Sequence, residues 1–212
     1  MSFPNEDDKD AALGIIYEDV TSVARNTSQY AKVIADYEAA NSVAGVNRGG
    51  TRDWKCYAYY KLHHFQEAVG ECTRQIDTRR DVGSARYSRA QSYEQLRNYD
   101  AALADYALIA EDGSNNYLRD GAVIEMDHIN ALLGKYAVEI QIFDKYPFVF
   151  DASLQAPDDL AAAYNNRCFA YMKLGELHKA LDDCTTSLRY GRMPDALQKQ
   201  QELQKRLREQ TT

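Results

Sequence analysis

The sequence has little of what an enzyme or a membrane protein needs. It contains no glycine-rich loop able to cradle a phosphate and no G-x-S-x-G nucleophile elbow. Its four histidines are His63 and His64, side by side, and the isolated His128 and His178, so no pair sits at metal-ligand spacing on one helix face. No Cys-x-x-Cys occurs either. No apolar run approaches the roughly 20 residues that cross a bilayer, and no basic start followed by an apolar stretch marks a signal peptide. With 25 basic against 32 acidic residues the formal net charge is -7, which argues against non-specific binding to nucleic acid or an anionic membrane. These absences lead us to expect a non-enzymatic chain without cofactor or metal, located in the cytoplasm, or exported had a leader been removed.

Prolines number only four in 212 residues, against 16 tyrosines, a balance that suits helices better than sheets. The stretch YEQLRNYDAALADY organises the rest. Tyr93, Leu96, Tyr99, Ala102 and Tyr106 recur every three or four residues, the stripe of a 3.6-period helix. Arg97, Asn98 and Asp100 break it with polar residues, which predicts a turn and hence two helices. The same pattern lies 34 residues earlier at Tyr59, Leu62, Phe65 and Ala68, and again at Tyr171, Leu174, Leu177 and Ala180. An alanine nine residues after a tyrosine lets antiparallel helices approach closely while the ring fills the space beside it.

In this spacing the chain resembles the tetratricopeptide repeat family, whose unit is 34 residues of helix, turn and helix. Tyr164, Tyr171, Gly175 and Ala180 carry the resemblance in one unit, Ala90, Tyr93, Ala102 and Tyr106 in another, and Tyr59 and Ala68 in a third. The sequence departs at the family's early Trp, where Arg52 and Arg86 stand, at its small residue before the Tyr, where Cys56 and Cys168 stand, and at its closing Pro. The resemblance implies an all-α, right-handed solenoid of about five hairpins plus a C-terminal capping helix. A polar arm over 1–10 would precede an array over 11–192, and a capping helix with tail would occupy 193–212.

Within that frame Leu13, Ile16, Tyr17 and Val20, then Tyr30, Val33 and Tyr37, read as a diverged first repeat. Asn26-Thr27-Ser28 is formally a glycosylation triplet, best read as a chance occurrence. The Gly-rich AGVNRGGT then precedes the second unit. A less regular fourth hairpin places Val123, Met126, Ile129 and Leu133 before Gly134, and Tyr136, Ile140 and Phe143 after it. DKYPFVFDASLQAPD is the longest connection, ordered by packing of its apolar residues. The last helix shows apolar residues at Ala196, Leu197, Leu203 and Leu207, enough to cover the end of an array; a coiled-coil partner helix is the alternative.

Cys56 and Cys72 are 16 apart, as are Cys168 and Cys184, each pair spanning one hairpin. The cysteines read first as small hydrophobes filling the core, with a disulfide staple as the open alternative. Asp105, Asp182 and Asp183 read as solvated helix-face charges. Lys55 and Arg89, like Arg52 and Arg86, recur 34 residues apart and would form a stripe, engaged in salt bridges or facing an acidic partner.

By the resemblance, the first helices line a groove that takes up a peptide or partner segment of unknown identity. Its lining would be Asp53, Tyr57, Tyr60 and Lys61, then Tyr87, Gln91 and Glu94, then His128, then Asn165, Asn166, Phe169 and Lys173. Rings offer contact area at low entropic cost, and an amide can serve both polar groups of an extended backbone. Asn166 and Arg167 match part of the clamp with which some members hold a chaperone's carboxylate tail, but Asp53 and Tyr57 stand where that clamp has Lys and Asn. The runner-up is an oligomerisation protein whose groove is filled by its own termini or a second copy; an exported, cysteine-stapled repeat protein comes third.

Overall fold

A computed structural model describes residues 30–32, 34–35, 55–79, 81–152 and 155–210. The polar arm, most of the diverged first repeat, the glycosylation triplet, Arg52 and Asp53 lie outside the described residues. From residue 55 onward the described chain is helical, with no strand: α1 (Lys55–Lys61), α2 (Phe65–Asp77), α3 (Val82–Gln95), α4 (Tyr99–Asp112), α5 (Asn116–Leu132), α6 (Tyr136–Lys145), a 3-10 turn (Pro147–Phe150), α7 (Pro157–Leu174), α8 (Leu177–Tyr190) and α9 (Pro194–Glu209). None of the described helices is long and apolar enough to cross a membrane. The chain divides into two compact units, Met1–Arg119 and Asp120–Thr212.

One turn geometry recurs four times. The residue after the first helix's last turn has a left-handed backbone: His63 at φ 61°, Arg97 at 58°, Gly134 at 67° and Gly175 at 78°. Its N–H and the next one return to the helix they leave. Arg97 donates to the Glu94 carbonyl and Asn98 to that of Tyr93, both at 2.8 Å, and His63 and His64, Gly134 and Lys135, and Gly175 and Glu176 do the same in their hairpins. This is a Schellman closure, which satisfies the orphan carbonyls of a helix end. The second helix then starts on a shared bond: the N–H of Ala68, Ala102, Glu139 or Ala180 donates to the residue four before it.

In the first unit α1 packs on α2, α2 on α3, and α3 on α4. The core is built largely from small side chains, with Ala58, Ala68, Ala85, Ala90 and Ala102 buried, as is the large ring of Tyr106. Small residues let the helix axes close up, and the ring fills what remains. Asp105, expected to be solvated, is instead buried: the Arg89 guanidinium forks onto both its oxygens at 2.7 Å and reaches Thr73 Oγ1 of α2 at 2.9 Å. Lys55 pairs with Glu71 at 3.4 Å, so Lys55 and Arg89 are both engaged internally.

In the second unit α7 packs on α8, and α9 lies against both. Leu203 of α9 completes a cluster with Cys168, Leu177, Ala180 and Cys184. Ala196 is also buried, whereas Leu197, counted in the same stripe, is 47% exposed. Asp183, also expected to be solvated, is likewise buried beneath Arg167, which donates to its two oxygens at 2.7 and 2.8 Å. The long connection packs as expected, with Val149 buried and Phe150 held 4.8 Å from the Tyr164 ring and 4.0 Å under the Arg167 guanidinium.

The cysteines are not merely small hydrophobes. Cys56–Cys72 and Cys168–Cys184 are disulfides, with Cα atoms 4.9 and 5.3 Å apart, and each ties the two helices of one hairpin. Such bonds persist in oxidising compartments, which stands against the cytoplasmic location expected above.

Candidate functional site

The sequence-selected residues of the first unit fall into two groups. On α1, Tyr57 and Tyr60 are partly buried with ring centroids 6.3 Å apart, and the Lys61 ammonium sits 5.1 and 5.6 Å from their centres. Tyr30 meets Tyr57 edge-on at 6.0 Å. On α3, Tyr87 packs edge-on against the buried Tyr106 at 5.5 Å and is thereby a wall residue as much as a surface one. Gln91 is half-buried, and Glu94 accepts from the Tyr106 hydroxyl at 3.3 Å.

In the second unit α5, α6, α7 and α9 surround a hollow of about 230 Å³, lined by Asp127, His128, Ala131, Glu139, Asn166, Phe169, Asp195 and Lys199. Three sequence-selected residues, His128, Asn166 and Phe169, meet here. His128 and Asn166 are exposed. The Phe169 ring stands between Lys173 and Lys199, each 4.9 Å from its centre, and borders a second hollow of about 240 Å³ toward α9. Asn165 is buried, donating to Asp195 at 3.2 Å and accepting from Lys199 at 3.1 Å. Its amide fastens α9 to α7.

The inner wall of the first hollow holds two carboxyls that the sequence reading missed. Asp127 is 3% exposed and Glu139 fully buried. Asn166 Nδ2 donates to Asp127 Oδ2 at 2.8 Å, but Asp127 Oδ1 and both Glu139 oxygens are buried without a donor. Two ionised carboxylates offer only acceptors, so this arrangement calls for a shared proton. Burial pushes the Asp127 carboxyl up to about 6, against the lowering effect of Asn166. Burial and the neighbouring Asp127 push Glu139 up to about 8. Lys199 offsets this only in part, because its ammonium is bound to Asp195 and Asn165. The same Lys199 bond holds the Asp195 carboxyl below its ordinary value.

A signal for this pair was present in the repeat register. Aligned on the four turns, Glu139 occupies the position of Ala68, Ala102 and Ala180, and Asp127 that of Cys56, Ala90 and Cys168. Where three hairpins close on small or bonded side chains, the fourth holds two acids. Among the described residues no group of three or more His, Cys, Asp or Glu is arranged to hold a metal ion.

No protein-family model matches the chain. Among curated proteins, Protein FlbA of Caulobacter vibrioides is 44% identical over 48 residues, a match spanning 23% of this chain and 8% of that protein.

Proposed function

We propose that the chain is a tetratricopeptide-like protein, a right-handed α-solenoid that binds a peptide or partner segment on its first helices and catalyses no reaction. The support is the unit common to four hairpins: one left-handed turn, one Schellman closure and one start to the second helix. A hairpin of this kind cannot bury its apolar face alone and stacks on a neighbour, leaving the opposite face of its first helix for a ligand. That face carries the Tyr57, Tyr60 and Lys61 cluster in one unit and the hollow lined by His128, Asn166 and Phe169 in the other. The two disulfides favour work in an oxidising compartment.

Selection of decapeptides displayed on phage against the whole chain tests the binding role. Selected peptides should lose at least tenfold in affinity for a Tyr57→Ala, Asn166→Ala double variant; unchanged binding would sink the reading. A second reading, self-association, is favoured by the exposed Ile124, Leu132 and Val138 of α5 and α6. Light scattering over a hundredfold concentration range separates the two, since a constant monomer mass leaves the surface open for a partner.

A further inference from the structure

The acid pair in the hollow of the second unit is an unusual thing to bury. Groups as buried as Glu139 normally have a hydrogen-bond partner, and leaving a polar atom without one is costly. Here no protein N–H or hydroxyl reaches Asp127 Oδ1 or either Glu139 oxygen, so a proton shared between the two carboxyls is what joins them, and both residues line the hollow. The charged groups facing them are few. α5 contributes His128 beside Asp127, and α9 contributes Lys199 and Asp195, already bonded to each other. α7 contributes the Asn166 amide and the Phe169 ring to this lining, while its Asp159 and the Asp120 of α5 border a neighbouring hollow that Asp127 also lines. Apart from the shared proton, the donor that reaches the pair is the neutral amide of the exposed Asn166.

We propose that this hollow is a cation site, taking the ammonium or guanidinium head of a lysine or arginine in the bound segment. The inference rests on the partner-binding role proposed above and names the chemistry of the residue recognised. Three features carry it. Once the shared proton leaves, the carboxyl oxygens of the pair are acceptors only, and a guanidinium supplies several donors in a planar fork suited to carboxylates. The neighbouring Phe169 ring, which two lysine ammoniums already approach at 4.9 Å, gives the hollow an aromatic wall of the kind that attracts cations. At about 230 Å³ the hollow is smaller than the roughly 300–1,000 Å³ of sites for free small molecules, which fits a single side chain.

Binding exchanges charge for charge. In the free protein the pair retains a proton near neutrality; an entering cation takes over its role, and the proton leaves to solvent. Affinity therefore rises with pH, by up to about tenfold per unit while one proton is displaced.

The test is an NMR titration of the whole chain with acetyl-arginine methylamide and its neutral isostere acetyl-citrulline methylamide at pH 6 and pH 8. The arginine compound should shift the His128, Asn166 and Phe169 resonances, bind at least tenfold tighter than citrulline at pH 8, and weaken at pH 6. Glu139→Gln, checked for folding by circular dichroism, should abolish both the preference and the pH dependence. Equal binding of the two compounds by the wild-type protein overturns the cation site without reference to any variant. If phage-selected peptides bind yet carry no basic residue and ignore Glu139→Gln, the cation site falls and the binding role stands. If the arginine compound binds as described but no peptide is selected, the cation site stands and the binding role falls.

Discussion

Arg167 lies across Asp183 with two hydrogen bonds, at 2.7 and 2.8 Å, while its guanidinium covers the Phe150 ring at 4.0 Å. Arg89 and Asp105 repeat the fork with the same separation of sixteen residues, and Lys55 and Glu71 form its weaker counterpart. One position further along, the same separation joins Cys56 to Cys72 and Cys168 to Cys184. Each described hairpin of these three is thus crossed by an ion pair, and two of them also by a covalent bond one residue deeper.

The fork yields the first prediction. Removing one partner strands a largely buried charge, so Asp183→Ala should lower the unfolding free energy by about 3 kcal/mol. The double change Arg167→Met, Asp183→Leu, which removes both charges and keeps apolar contact with Phe150, should cost much less. Denaturant midpoints for the two variants check this. Equal losses would mean that the fork contributes through packing alone.

Turn conformation gives a second. His63 and Arg97 hold left-handed backbones in which Gly134 and Gly175 stand in the other two hairpins. A Cβ in that region costs on the order of 1 kcal/mol. His63→Gly and Arg97→Gly should each stabilise by about 0.5–1 kcal/mol, after allowing for the freer unfolded chain. Gly175→Ala should destabilise by about 1 kcal/mol. A melting series on the three variants suffices.

The helices and their turns were legible because they rest on local chemistry. Tyr93, Leu96, Ala102 and their counterparts mark one face of each helix, and Gly134, Gly175 and the polar Arg97-Asn98 mark the breaks. The buried acids were not legible by the same rule, which assigns an isolated Asp or Glu on a helix to solvent. Asp105 and Asp183 escape it because an arginine sixteen residues earlier covers them, a relationship visible only when two helices are laid side by side. Asp127 and Glu139 escape it for a different reason. Their burial follows from the register of the fourth hairpin, in which acids replace the small residues of the other three at the positions where the helices close. Asn165 and Asn166 were selected together, yet the helix turns one inward to fasten α9 and leaves the other at the mouth of the hollow.

The disulfides give a third prediction. Closing a loop of about 15 residues stabilises by about 3 kcal/mol in the chain-entropy account. Native protein should show no titratable thiol, and reduced protein all four. Cys168→Ala, Cys184→Ala should lower the unfolding free energy by about 2–4 kcal/mol and leave the rest insensitive to reductant only where Cys56–Cys72 is also removed. Free thiols in protein folded under oxidising conditions would contradict the assignment.

The pH dependence of stability is set by the pair in the fourth hairpin. Glu139 has an ordinary value of 4.5, raised in the folded protein to about 8, and Asp127 is raised to about 6. Between the ordinary and raised values the folded chain binds more protons than the unfolded one, so stability falls as pH rises. The stabilisation is fully present below the unfolded values and is lost progressively through about pH 8. At 1.36 kcal/mol per unit the upper limit is large; relaxation and water entry reduce the expected loss between pH 5 and pH 9 to about 2–4 kcal/mol. Glu139→Gln places a neutral isostere opposite Asp127 and should flatten the profile, matching the wild type near pH 5 and exceeding it near pH 9. Chemical denaturation of both proteins at those two pH values decides the matter. A wild-type profile that rises with pH over this range would show that the two carboxyls are ionised and paired with a cation already in the fold.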